Sequence, residues 1–305
     1  MTHSMDPKLD KIMTRFNAKV DGGHYYEAQQ TLRTVANRYV RGKKWPEAID
    51  FITHGIHSFL EAGQMVLGAD LTMYLLEVYN MSGAKCNEGN VARLVQILVG
   101  LDAEEPSLKV ICTGMNNWSI NNGTYKFGDP YLHCVIGKRL LEAGYVYDAE
   151  RYLLLGTQDT MIKYSELMWD WYVQSGDDKA VGSFLSRLIF SYLSIYNIKY
   201  ALESSRSFLE TFIKNKNPKF EKFEKKHATV YFFPDYSELN FLQVLLIACQ
   251  TGNAEYFTSL KAQYAEYAES YKQELAFLAI EYFNIRPQKP VNLLQDMMAG
   301  FFNGV

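Results

Sequence analysis

Few side chains in this sequence stand at spacings that could do chemistry. His54 and His57 are three apart and fall on one helical face, a spacing that can hold a metal ion. No cysteine or carboxylate stands at ligand spacing beside them, and such pairs are far more often packing or surface histidines. The other candidate acids are Glu104-Glu105, within Asp102-Ala-Glu-Glu-Pro106, and Asp170, set between Trp169 and Trp171. Catalytic carboxylates must converge from separate segments, and the local setting of each pair reads as capping and hydrogen bonding. No GxxxxGK[ST], GxGxxG, GxSxG or HExxH motif occurs. These residues require no cofactor, no metal and no enzyme activity.

Charged residues near the N-terminus suggest binding instead. Lys11 and Arg15 stand four apart, His24 and Tyr25 flank the first joint, and Arg38 and Arg41 precede Gly42. Basic residues in a last turn complement the helix dipole, which accounts for Arg38 and Arg41. The same groups on neighbouring elements would also form a patch for an acidic protein surface. Asp70, after Gly68-Ala69, either caps Leu71 onward or takes part in that surface. Both readings stand at this level.

A second stretch is unlike the rest. KNKNPKFEKFEKKH carries Lys214, Lys216, Lys219, Lys222, Lys225 and Lys226 against Glu221 and Glu224. The β-branched and aromatic run Ala228–Tyr236 follows, with Pro234 marking a turn or edge. One reading is a solvated charged loop and a buried tether. The other is a short β-hairpin near 229–236 that offers apolar side chains and a backbone edge to a partner.

The elements that position these residues are counted out by glycines. Gly22, Gly42, Gly63 and Gly83 recur at intervals of 20, 21 and 20, with apolar residues three and four apart between them. Glycine just past a helix end adopts the left-handed conformation without a Cβ clash. Each interval is therefore one helix, and Asp6-Pro7 and Trp45-Pro46 open two of them. Short connections make neighbours antiparallel, so the unit is a helical hairpin of about 41 residues, repeated. Gly22-x-x-Tyr25-x-x-Ala28 and Gly42-x-x-Trp45-x-x-Ala48 set an aromatic and a small residue on one face, and Gly144, Tyr147 and Ala149 echo them. Further helices are expected at 88–101, 106–121, 130–143, 146–156, 158–174, 177–196, 198–215, 237–250, 253–270, 272–284 and 291–301. The fold class is all-α, an α-solenoid of antiparallel hairpins forming a tetratricopeptide-like superhelix with the short β-hairpin insert. Two halves, 1–150 and 151–305, are expected.

Composition agrees. The chain has 305 residues, 48% of them hydrophobic, with 31 Lys+Arg against 34 Asp+Glu. A net charge of −3 argues against a general nucleic-acid binder. The most apolar run, Leu239 to Cys249, is broken by Asn240 and Gln243 and falls short of a membrane span. Without an apolar leader, the expected location is the cytosol. Cys86, Cys112, Cys134 and Cys249 lack C-x-x-C spacing and read as small buried hydrophobes.

Several segments carry a resemblance. Ala36-Asn-Arg-Tyr-Val-Arg41, Tyr74-Leu-Leu-Glu-Val-Tyr79, Met115-Asn-Asn-Trp-Ser119, Tyr125-Lys-Phe-Gly-Asp-Pro-Tyr131, Ala149-Glu-Arg-Tyr152 and Leu294-Gln-Asp-Met297 resemble the Golgi-to-ER-traffic protein four family. The likeness runs from about Lys8 to Phe302 and looks closest to yeast members. It implies a non-enzymatic adaptor in the guided entry of tail-anchored membrane proteins. Its N-terminal half would bind the cytosolic targeting ATPase and favour the ATP-bound state. Its C-terminal half would bind the N-terminal segment of a ubiquitin-like-domain protein, which links indirectly to a tetratricopeptide co-chaperone. Carried over residue by residue, the ATPase-facing set is Lys11, Arg15, His24, Tyr25, Arg41 and Asp70, with Asp70 regulatory. The ubiquitin-like partner would meet Val230, Tyr231, Phe232, Phe233 and Pro234. A generic tetratricopeptide-like module that reads chaperone C-terminal peptides is the alternative, although its 34-residue period is absent.

Overall fold

The computed structural model describes residues 7–225 and 228–286. The chain divides into two compact units between Lys163 and Tyr164.

The first unit contains α1 (Pro7–Asp21), α2 (Tyr25–Arg41), α3 (Trp45–Glu61), α4 (Met65–Ser82), α5 (Glu88–Gly100), α6 (Leu108–Asn122), α7 (Pro130–Glu142), α8 (Val146–Leu155) and the start of α9 (Gln158–Ser175). The glycine rule holds, with a correction of phase. Left-handed residues fall at Gly23, Lys43, Gly63 and Gly83, twenty apart, so at the first two joints the turn residue follows Gly22 and Gly42. At each joint the next amide reaches back five residues, as Lys44 N does to Tyr39 O at 2.9 Å and Gln64 N to Phe59 O at 2.8 Å. This paired hydrogen bonding satisfies the helix's last carbonyls and reverses the chain.

Two residues beyond the first three left-handed positions stand Tyr25, Trp45 and Met65, and three further on the buried small residues Ala28, Ala48 and Gly68. A Cβ on Gly68 would lie 2.6 Å from Leu60 Cδ2, so a side chain there would force the buried Leu60 to shift. The later echo follows the same phase: after left-handed Gly144 it is Val146, not the 80% exposed Tyr147, that takes the aromatic's place before buried Ala149. The core runs through Phe16, Phe51 and Phe59, with ring centroids 5.6 to 6.0 Å apart around Phe16. Trp118 packs on Tyr79 and donates from its indole to Ala84 O at 3.0 Å.

The second unit continues with α10 (Val181–Ser194), α11 (Ile198–Lys216), strands β1 (Glu221–Lys225) and β2 (Ala228–Phe232), then α12 (Ser237–Thr251), α13 (Ala254–Gln263), α14 (Ala265–Ser270) and α15 (Lys272–Glu281). Two expected helices are shorter than the spacing suggested. Asp177 caps a 3-10 turn over Asp178–Ala180 before α10 begins. The 253–270 helix breaks at Tyr264, whose φ of −117° and ψ of 52° are not helical. The piece expected at 291–301 lies outside the described residues.

The β-hairpin is present and antiparallel, and it spans 221–232 rather than 229–236. The lysine-rich stretch supplies its first strand, so a segment that reads as a charged loop is half of the sheet. Phe233–Tyr236 connects β2 to α12 instead.

Candidate partner-binding surfaces

Helices two apart in the first unit are tied by polar side chains at about the repeat period. From α1 to α3, His54 Nε2 meets Asn17 Oδ1 at 2.7 Å. From α2 to α4, the Tyr74 hydroxyl donates to Asn37 Oδ1 at 2.7 Å. From α3 to α5, Arg93 donates to Asp50 Oδ1 at 3.0 Å. His54 is thereby a rung of the repeat, its ring edge against Phe16, and burial pushes its pKa below the ordinary value. Among the described residues, no group of three or more histidines, cysteines and carboxylates could hold a metal ion.

The most heavily used acceptor among these rungs is Asp70. Its Oδ2 receives both Gln29 Nε2 and Arg33 Nη2, each at 2.6 Å. The Arg33 guanidinium also lies 5.2 Å from the Tyr74 ring centroid. Asp70 does not cap its helix, because α4 begins five residues earlier at Met65. Its side chain is about one-third exposed, as is that of Arg33.

The other charged candidates spread along the α1–α2 hairpin. Lys11 and Arg15 are exposed on α1, about two turns and one turn before Lys19, which reaches Thr31 Oγ1 at 3.2 Å. His24 is exposed at the joint and Tyr25 is half-buried against the core. Arg41 closes the 17-residue α2, about 24 Å along the axis from Tyr25. It lines a shallow groove of about 450 Å³ with Thr34, Val35, Asn37 and Arg38. The six residues are therefore spread over α1, α2, their joint and α4 rather than gathered in a single cluster. Gln29 and Arg33 were not singled out from sequence, and their signal is invisible there: only the packing of α2 on α4 brings them to Asp70.

The hairpin has two chemically distinct faces. Tyr231 is 7% exposed and Phe233 fully buried, the latter with its ring 5.8 Å from that of Phe212. The backbone of β2 is clamped by amide side chains of α12. Tyr231 N donates to Gln243 Oε1 and Gln243 Nε2 donates to Tyr231 O, both at 2.8 Å. Phe233 N donates to Asn240 Oδ1 at 2.9 Å, and Asn240 Nδ2 donates to Phe233 O at 2.8 Å. The two residues that interrupt the apolar run of α12 thus replace a missing strand.

Opposite cross-strand partners share a face. Phe223 pairs with Val230, and Glu221 with Phe232. Phe223 is 54% exposed and Phe232 40%, so this outward face presents two aromatic rings, with Glu221 opposite Phe232. Phe220 packs on the inward side, its ring 5.8 Å from that of Tyr231 and 6.1 Å from that of Phe233. Of the five aromatic-run candidates, Val230 and Phe232 lie on this face, Tyr231 and Phe233 point into the unit's own core, and Pro234 is exposed in the connection. Because Gln243 covers the outer edge of β2, the open edge belongs to β1. There Lys222 and Glu224, paired with each other at 2.5 Å, flank the backbone.

Cys112 and Cys249 are buried, and their thiols are pushed up to about 12 by burial. Cys86 and Cys134 are only partly buried, so two of the four fit the reading as buried hydrophobes.

Comparison with known proteins matches residues 42–302 to the family model described as Golgi to ER traffic protein 4. A protein of that name from Aspergillus fumigatus is 29% identical over 98% of this chain and 91% of its own. One from Schizosaccharomyces pombe is 28% identical over 92% of this chain and 91% of its own. The crystal structure of C. therm. Get4 is similar with a TM-score of 0.85 and 28% identity, covering 98% of this chain and 96% of that one. The family-model match begins after α2, so Asp70 and the hairpin lie inside it and Lys11, Arg15, His24, Tyr25 and Arg41 outside.

Proposed function

The chain belongs to the Golgi to ER traffic protein 4 family, and we propose that within that traffic it is a non-enzymatic adaptor joining two protein partners. One is the cytosolic ATPase that targets tail-anchored membrane proteins. The other is a ubiquitin-like-domain protein, through which a tetratricopeptide co-chaperone is reached. The adaptor works in the cytosol, beside that ATPase. Among the described residues no helix is long and apolar enough to cross a membrane.

One observation supports this reading above the others. The two surfaces differ in kind and stand on different units of the chain. The surface of α1, α2 and α4 is charged and lies on regular repeats. The hairpin face is aromatic and lies on the insert. A scaffold needs such independent surfaces, because tethering two partners raises their effective concentration without any new contact between them. Lys11, Arg15, His24, Tyr25 and Arg41 dock the ATPase, and Asp70 regulates it by meeting a basic group. Phe223, Val230 and Phe232 receive an apolar segment of the ubiquitin-like partner. Tyr231, Phe233 and Pro234 act indirectly, by holding the hairpin in place.

The test is reciprocal. Arg41→Glu should weaken ATPase binding about tenfold at low salt, with the loss shrinking as salt screens it. It should leave the ubiquitin-like partner bound. Phe223→Ser with Phe232→Ser should lose the ubiquitin-like partner by at least about tenfold and spare the ATPase. Binding isotherms for both partners on both variants decide it. If either variant weakens both partners equally, the division of surfaces is wrong.

A further inference from the structure

We infer that Arg33 is an internal ion-pair partner of Asp70 that a basic group on the docking protein displaces, so that binding at this surface is an exchange of ion pairs. The inference rests on the reading that Asp70 meets the targeting ATPase, and it adds the residue that governs how available Asp70 is.

The geometry carries it. Gln29 and Arg33 both donate to Oδ2 at 2.6 Å, and Oδ1 has no partner among the described residues. A carboxylate holds about four acceptor sites over its two oxygens, so the unoccupied oxygen can receive an incoming guanidinium or ammonium. Once that second cation arrives, Arg33 and the incoming group compete for one negative charge. Neither side chain of the internal pair is buried, at 39% and 37% exposed. Exposed pairs are weak, so this one yields readily.

Arg33 does not then return to bulk water. Its guanidinium already lies 5.2 Å from the Tyr74 ring centroid, and the Tyr74 hydroxyl is held by Asn37 at 2.7 Å. The ring supplies a face on which a planar cation stays stacked after it leaves the carboxylate. Gln29, which is neutral, keeps Oδ2 in place without competing for charge. The partner that fits is a protein surface with a basic group for Asp70, because the released Arg33 keeps its place over the Tyr74 ring.

The experiment uses the full chain and the ATP-loaded targeting ATPase at low salt, comparing wild type, Arg33→Ala, Asp70→Asn and the double variant. Removing the competitor should tighten binding about two- to fivefold, the range of a surface pair. Asp70→Asn should weaken binding or change the ATPase's hydrolysis rate. In the Asp70→Asn background, Arg33→Ala should have no further effect. Thermal melts of the four free proteins should show the pair directly, as a non-additive stability in the double variant. Weaker binding by Arg33→Ala, or a gain that persists without Asp70, overturns the inference and leaves the role of Asp70 standing. If Asp70→Asn changes neither affinity nor hydrolysis, the role of Asp70 itself falls and the inference falls with it. Additive melts overturn the pair in solution.

Discussion

The α1–α4 repeats and the α11–α12 hairpin region solve one problem in opposite ways. Both must satisfy polar groups between packed elements. In the repeats the ties join side chain to side chain at separations near the period, as in Asn17 with His54 or Asn37 with Tyr74. In the hairpin region, side-chain amides bind backbone at short range, Asn240 to Phe233 and Gln243 to Tyr231. The repeat ties sit near the surface, and losing one exposes its partner to water. The amide clamps are buried, with Asn240 4% and Gln243 6% exposed. Losing one strands a donor and an acceptor out of reach of solvent. A regular array therefore tolerates change at its ties, whereas the insert depends on each of its clamps.

The largest expected effect breaks that comparison if it fails. Asn240→Ala leaves the Phe233 N–H and C=O unpaired in a buried site, and should cost about 2–4 kcal/mol of stability. Asn37→Ala removes a tie whose acceptor is exposed, and should cost less than about 1 kcal/mol. Urea unfolding of the two variants measures both. Equal losses would mean that clamp and tie are energetically alike. Amide hydrogen exchange at Phe233 should also quicken in Asn240→Ala, because its N–H loses its acceptor.

The second effect is smaller and tests the repeat itself. At position 43 the left-handed turn residue is Lys43, with φ of 55°, where the neighbouring joints use Gly23 and Gly63 at 75° and 71°. Lys43→Gly should stabilise by about 1 kcal/mol and Gly63→Ala should destabilise by a similar amount. Nothing lies within 4 Å of a Cβ at Gly63, so the cost there is conformational rather than steric. Opposite signs in thermal melts support twenty-residue turns set by backbone conformation. A neutral Gly63→Ala would show that the joint is held by packing alone.

These joints mark how far the sequence could be read. Helix number and order through α12 follow from glycine spacing and apolar periodicity, because each helix closes with a local signal. The phase at Gly22 and Gly42 is misread by one residue, because glycine there ends the helix without being the left-handed residue. Strand β1 is hidden for a different reason. In Glu221-Lys-Phe-Glu-Lys225 charged residues surround Phe223, so its alternation reads as solvated loop. Asn240 and Gln243 look like mere interruptions of an apolar run until β2 is placed beside them. The Arg33–Asp70 pair spans 37 residues, and nothing local announces a contact set only by how α2 packs on α4. What was legible is what a segment decides alone.

The smallest effect sharpens the comparison with pH. Amide clamps do not titrate, whereas the polar contacts of the first unit include those of two histidines, His54 and His133. Burial lowers the pKa of His54, and burial likewise lowers that of His133, whose Nε2 meets Asn116 Oδ1 at 2.6 Å. A histidine with a folded pKa below its unfolded value of about 6.5 takes up a proton on unfolding. Its contribution to stability is therefore complete above pH 6.5 and is lost as pH falls through that value toward the folded pKa. The melting temperature should drop between pH 7.5 and 5.5, and His54→Gln should flatten that slope. Hydrogen exchange would locate the loss. It should appear around α1 with α3 and around α6 with α7, where His54 and His133 sit, while the amides of β2 keep their protection. Loss of protection at Tyr231 and Phe233 over the same pH range would mean that the clamps depend on a titrating group after all.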